Sequence, residues 1–257
     1  VYGDKLLVHS LSDGFIELID PETGEARGFK AWRELADLVV LGDWLAIAPP
    51  TSQRLAIYDL ESGESREMEL PGVIEDLEAY EPFIWATIPD HGLVVAVDPS
   101  KPEIARRLSL DVAHGRDKIS VIGGTLWAIS KSGAEILKVD LETGSATSMS
   151  LEEEALAIEA FKGGVLVATA ADEILEISKD LKITGSWKLE KGSTTSIQLY
   201  RLEDGRIIYV SLPRWTIGEI EGEKITEVKA EARLGGSALA EDRIWFTEPA
   251  KRRIGYA

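Results

Sequence analysis

Few residue types in this chain are equipped for chemistry. The three histidines are His9, His91 and His114, and no His-x-x-x-His or His-Glu-x-x-His spacing joins them, which excludes a zinc centre of that kind. No Gly-x-Ser-x-Gly elbow presents a serine nucleophile. With Cys at 0, thiolate ligands, disulfides and a cysteine nucleophile are excluded as well. What recurs is carboxylate. Asp37, Asp76, Glu78, Asp117 and Glu159 fall at or beside the starts of similar short strands, and oxygen ligands brought together from several strands suit a hard cation such as Ca2+ or Mg2+. The plainer reading is that polar residues sit there because a channel holds water. Lys118, Ser196 and Ser237 open equivalent strands, and with Asp37 and Asp76 they form a candidate ligand-binding rim. No residue is assigned a catalytic role.

The remaining motifs read as structure. His9 falls inside a strand, and His91 falls in the turn Asp90-His91-Gly92. Gly235-Gly236-Ser237 precedes a strand, so no helix N-terminus stands behind it to receive a phosphate. Arg106-Arg107 and Lys251-Arg252-Arg253 read as solvated faces.

These residues depend on repeated elements for their placement. Leu7, Leu45, Trp85, Trp127, Val167, Tyr209 and Trp245 each sit in a short apolar strand, at spacings of 38, 40, 42, 40, 42 and 36 residues. A second apolar strand follows and ends in a turn such as Asp20-Pro21-Glu22-Thr23-Gly24, Asp59-Leu60-Glu61-Ser62-Gly63 or Asp140-Leu141-Glu142-Thr143-Gly144. There an Asp side chain can bond backbone amides, and Gly is free to take a positive φ. A polar third strand follows each turn, and another strand precedes every aromatic column position but the first.

Four short strands per repeat of about 40 residues predict an all-β chain forming a single β-propeller of four-stranded blades. The strands come to 26, two short of seven full blades, with three each in the first and last repeats; the column of seven favours seven blades with an incomplete seam, and six is the alternative. The domain spans 1–257, with blades near 1–35, 36–72, 73–115, 116–153, 154–192, 193–233 and 234–257. The recurring aromatics are expected to pack between blades. The two chain ends are expected to meet at one seam, completed by an added strand.

Composition narrows the function classes. At 257 residues and 44% hydrophobic content, the chain has material for a substantial core. Its formal net charge of −17 argues against nucleic acid, whose recognition needs Lys and Arg to displace counterions. No apolar run reaches the ~18–20 residues of a membrane-spanning helix. The chain holds no Asn and two Gln, Gln53 and Gln198, a depletion of thermolabile residues that points to a thermophilic, archaeal source. A cytoplasmic location is expected, or an extracellular one if a leader has been removed.

The last repeat is the most specific. Ile244-Trp245-Phe246-Thr247-Glu248, a short turn, and Ile254-Gly255-Tyr256 resemble the blades of virginiamycin B lyase-type seven-bladed propellers. Ile217-Gly218-Glu219-Ile220 resembles the preceding hairpin; beyond 217–257 the likeness is one of blade grammar, shared with YVTN-type propellers. That resemblance implies a magnesium ion held by His and Glu, with a His as general base from the C-terminal blades. No histidine follows His114 here, and only Glu248 has a counterpart. The expected function is therefore a non-enzymatic scaffold without a cofactor. It would bind a protein partner or small ligand at its channel mouth or seam. The alternative is a lyase or lactone-type hydrolase assisted by Ca2+ or Mg2+ at the channel.

Overall fold

The computed structural model describes residues 2–3, 5–10, 13–202, 206–230, 234, 237–240, 243–248 and 253–256. Among the described residues strands dominate, and one 3-10 turn, at Pro89–His91, interrupts them. The chain divides into two compact units, 1–116 and 117–257.

The first unit holds three antiparallel sheets. Strands β1 (Leu6–Ser10), β2 (Phe15–Ile19) and β3 (Ala26–Lys30) form a three-stranded sheet in that order. Strands β4 (Asp37–Leu41), β5 (Trp44–Ala48), β6 (Arg54–Asp59) and β7 (Ser65–Glu69) form the next. Strands β8 (Leu77–Tyr80), β9 (Phe83–Ile88), β10 (Leu93–Asp98) and β11 (Glu103–Ser109) form the third.

The second unit continues the pattern. Strands β12 (Ile119–Ile122), β13 (Thr125–Ile129), β14 (Glu135–Asp140) and β15 (Ala146–Ser150) make one sheet. Strands β16 (Ala155–Phe161), β17 (Gly164–Thr169), β18 (Glu173–Ile177) and β19 (Ile183–Lys188) make another. Strands β20 (Ile197–Arg201), β21 (Ile207–Ser211), β22 (Thr216–Glu221) and β23 (Lys224–Lys229) make a third. The last sheet has three strands, β24 (Ser237–Ala240), β25 (Arg243–Glu248) and β26 (Arg253–Tyr256).

This topology corrects the expected seven four-stranded blades. Five sheets have four strands and the two terminal sheets have three each, so the described strands complete at most six four-stranded blades. A column of seven apolar strands overstates the count, because it gives the two three-stranded terminal repeats the same weight as the four-stranded ones. The expected seam falls on Val1 and Ala257, which lie outside the described residues.

The period-2 pattern explains why the strands of the aromatic column are apolar on both faces. Leu45 and Ile47 of β5 pack with Ile16, Leu18 and Phe29 of the preceding sheet. Ala46 and Ala48 of the same strand face Leu77, Ile84 and Ala86 of the following one. Alternate side chains point to opposite faces, so a strand sandwiched between neighbours is apolar at every position. Trp85, Trp127 and Tyr209 are at most 1% exposed, which places these members of the aromatic column in the core.

The acidic turns form as the sequence dictates. Asp20 Oδ1 accepts hydrogen bonds from the Glu22 and Thr23 amides, both at 2.9 Å. Asp59 and Asp140 repeat the arrangement. Gly63, at φ +79°, then reverses the chain in the left-handed region that side-chain-bearing residues rarely adopt.

Candidate functional site

In every four-stranded sheet the leading strand is an edge strand, and within each unit neighbouring sheets meet along these edges. Strand β4 lies against β8, and β16 lies against both β12 and β20. Polar side chains on the leading strands therefore meet the backbone of the next sheet. Asp37 Oδ1 accepts from the Leu38 amide at 2.8 Å, and its Oδ2 accepts from the Leu77 amide at 2.8 Å. Ser120 Oγ accepts from the Ala160 amide at 3.0 Å. The Asp117 carbonyl accepts from the Ile158 amide at 3.0 Å. Lys118 Nζ donates to the Leu156 carbonyl. Apart from the Asp37–Leu38 bond, each spans close to one repeat, so part of the polar column at the leading strands knits consecutive sheets.

One pocket opens beside this ladder in the second unit. It has a volume of about 230 Å³ and is lined by Asp117, Ala157, Ile158, Glu159, Gln198, Leu199 and Tyr200. Strand β16 supplies the central three residues and β20 the last three, while Asp117 reaches in from the segment before β12. Asp117 holds φ +58°, an uncommon backbone conformation for a residue with a Cβ. The polar members of the lining are two carboxylates, an amide and a phenol, groups that can fix the orientation of a small polar molecule, while Ala157, Ile158 and Leu199 are buried.

The other residues singled out from the sequence do not enter this pocket. Asp76 is 3% exposed, and its carbonyl accepts from the Thr87 amide at 3.0 Å. Glu78 lies on β8 and is half-buried. Ser196 is exposed, with its carbonyl accepting from the Leu212 amide at 3.1 Å. The side chains of Ser237 and Glu248 lie outside the described residues. Of the proposed cation ligands, the pocket brings together Asp117 and Glu159. Among the described residues no three His, Asp or Glu side chains are grouped so as to hold a metal ion. The residues present do not fit the magnesium centre that the lyase resemblance implies.

Sequence reasoning passed over Gln198 as a site residue and did not single out Tyr200. It also passed over a pair in the first unit. His114 Nδ1 lies 2.9 Å from Glu75 Oε1, the Gly115 amide donates to Glu75 Oε2 at 2.6 Å, and His114 Nε2 lies 3.9 Å from Asp90 Oδ1. The signal was the separation of 39 residues between Glu75 and His114, one repeat. The pair fastens the loop before β8 to the loop before β12, and Asp90 and His114 are both exposed.

These sheets, of three or four antiparallel strands and packed on their neighbours within each unit, have the fold of a β-propeller. The fold is virginiamycin B lyase-like. A catalytically inactive virginiamycin B lyase from Staphylococcus aureus with quinupristin has a TM-score of 0.80 at 14% identity, over 98% of this chain and 94% of that one. A streptogramin B lyase has a TM-score of 0.81 at 16% identity, over 99% of this chain and 92% of that one. A chain of the mitotic checkpoint complex has a TM-score of 0.75 at 13% identity, over 98% of this chain and 85% of that one. No family model matches the chain, and no curated protein does either. Likeness at these identities is a likeness of fold. No helix is long and apolar enough to cross a membrane among the described residues.

Proposed function

We propose that this propeller is a non-enzymatic binding module that holds a small ligand, or an extended group of a protein partner, at its leading edge strands. The observation that carries this reading is the pocket between β16 and β20, where Asp117, Glu159, Gln198 and Tyr200 converge on about 230 Å³. A rigid frame of packed sheets with a polar cleft at one edge is suited to binding. Lyase chemistry draws no support, because no histidine follows His114 to serve as the general base. The neighbour within the mitotic checkpoint complex is consistent with a protein partner, by analogy of fold.

The test is a panel of small acids, amines, alcohols and sugars screened by ligand-observed NMR against the wild type and a blocked variant, Gln198→Trp. The proposal predicts that members of the panel bind the wild type and lose contact with the variant. Binding that survives Gln198→Trp unchanged, in a variant with native melting behaviour, contradicts it.

A further inference from the structure

Six of the sheets carry an apolar cross-strand pair at the same position of the repeat. The pairs are Ile16–Phe29, Leu55–Met68, Val94–Leu108, Ile136–Met149, Ile174–Trp187 and Ile217–Val228, the second member always on the outer strand. In the first five the inner member is 0% exposed, and the outer member is buried or half-buried. In the sixth, Ile217 is half-buried and Val228 is 61% exposed. Where the covering group is on the page, it comes from the third strand or beyond in the next sheet. Phe29 meets the Tyr58 ring edge-on at 6.2 Å, and the Trp187 indole donates to the Gly222 carbonyl at 2.6 Å. The sheet that follows Val228 runs β24-β25-β26 and stops there. Phe246 of its middle strand joins the cluster that holds Ile217, so this sheet covers the pair from one side and ends a strand short of Val228.

We infer that the outer edge of β26 takes a fourth strand from a partner protein, an extended segment bound by β-strand addition. Alternate side chains of an added strand point to opposite faces. One set would lie over Val228, on the side where Phe246 packs. The other would lie beside Ile254 and Tyr256, which the pairing of β25 with β26 places on the far face, 36% and 59% exposed. Val228, Ile254 and Tyr256 are three of the six large hydrophobic side chains exposed among the described residues, and one added strand would flank all three. The chain itself shows the chemistry of such a strand. Four of its outer strands carry, at their ends, an apolar residue followed two places on by leucine: Met68 and Leu70, Leu108 and Leu110, Met149 and Leu151, Trp187 and Leu189. Most of their other positions are polar. The partner segment is therefore a mostly polar strand ending in the same apolar pair. A net charge of −17 opposes a second copy of the chain as the occupant. The site stands apart from the β16–β20 pocket, because β26 lies at the edge of its sheet opposite the leading strand.

The test is fluorescence anisotropy of a labelled peptide copying residues 145–151, Ser-Ala-Thr-Ser-Met-Ser-Leu, titrated with the whole chain. One control peptide has Ser in place of its Met and Leu, and another is N-methylated along its backbone. The expected result is saturable binding of the first peptide, weakened about tenfold or more by either control change and by Val228→Lys. Val228→Lys falls at an exposed position and should keep the wild-type melting temperature within a few degrees. Gln198→Trp should leave the peptide's affinity unchanged. No saturable binding, or binding indifferent to Val228→Lys or to N-methylation, overturns the inference. Binding lost in Gln198→Trp overturns it too, by moving the segment to the pocket. Light scattering that finds the wild type dimeric and Val228→Lys monomeric overturns it as well, since a second copy then fills the edge.

Discussion

Asp37 and Leu77 stand forty residues apart, one repeat of the chain, and are joined by a hydrogen bond of 2.8 Å from the Leu77 amide to the Asp37 carboxylate. The same carboxylate accepts from the Leu38 amide, so one side chain satisfies backbone donors on two adjacent sheets. A hydrogen bond to a charged group typically contributes ~1.5–3 kcal/mol, and losing the acceptor strands a donor. Asp37→Ala is predicted to destabilise the protein by about 2 kcal/mol on that scale. Asp37→Asn keeps one acceptor oxygen and should lose less. Urea unfolding of the three proteins checks this, and equal midpoints contradict it.

Trp85 and Trp127 are buried, yet neither indole Nε1 has a hydrogen-bond partner. Their contribution is therefore made without the indole N–H, by packing and, for Trp127, by the Lys138 ammonium 5.6 Å from its ring centroid. Trp127→Ala should cost ~3–5 kcal/mol through lost transfer energy and the cavity left behind. Trp127→Phe sacrifices no hydrogen bond and should cost distinctly less. Thermal unfolding that ranks the two variants alike would refute this account of the aromatic column.

Tyr209 packs on the cross-strand residue Gly218 so closely that a Cβ there would lie 2.1 Å from the phenol ring. Gly218→Ala must displace the ring, and overpacking of this kind usually costs ~1–3 kcal/mol. Burial pushes the Tyr209 hydroxyl far above its usual value, and its hydrogen bond to Glu227 pushes in the same direction. Alkaline titration followed by phenolate absorbance should show Tyr209 ionising only as the protein unfolds. A Tyr209→Phe difference spectrum with a phenolate signal in the still-folded protein contradicts that.

Acid should weaken the fold in a defined sense. Backbone amides of Thr23, Ser62 and Thr143 hold the carboxyls of Asp20, Asp59 and Asp140 below the usual range. The Gly192 amide does the same for Asp172. A carboxyl whose folded pKa is depressed contributes stability that is full above its unfolded value and lost as pH falls through the folded one. Melting temperature is predicted to hold near neutrality and to drop below about pH 5. The combined variant Asp20→Asn, Asp59→Asn, Asp140→Asn should show a shallower drop, and an unchanged slope would count against the turn carboxylates.

Much of the fold was legible because the turn chemistry of Asp59 to Gly63 and the aromatic column recur at one period, which fixes the strand pattern. The three-stranded terminal repeats were legible as well, but the number of blades was not. The columns mark where a sheet is, whereas blade number depends on which edges find partners. The site was legible only in part. Asp117 and Glu159 stood out as channel carboxylates and do share a pocket, but Asp37 and Lys118 belong to the ties between sheets. A polar residue at the start of a leading strand can face a ligand or the neighbouring backbone, and its identity alone does not decide between them. Tyr200 carried no signal because an aromatic within a strand is expected in the core.

The most direct test of the binding reading is an amide NMR titration of the wild-type chain with the best ligand from the charged and neutral panel. The account predicts shift changes concentrated at Asp117, at Ala157, Ile158 and Glu159, and at Gln198, Leu199 and Tyr200. Saturable binding whose shift changes fall elsewhere, for example around Glu75 and His114, or no saturable binding from any member of the panel, would contradict it.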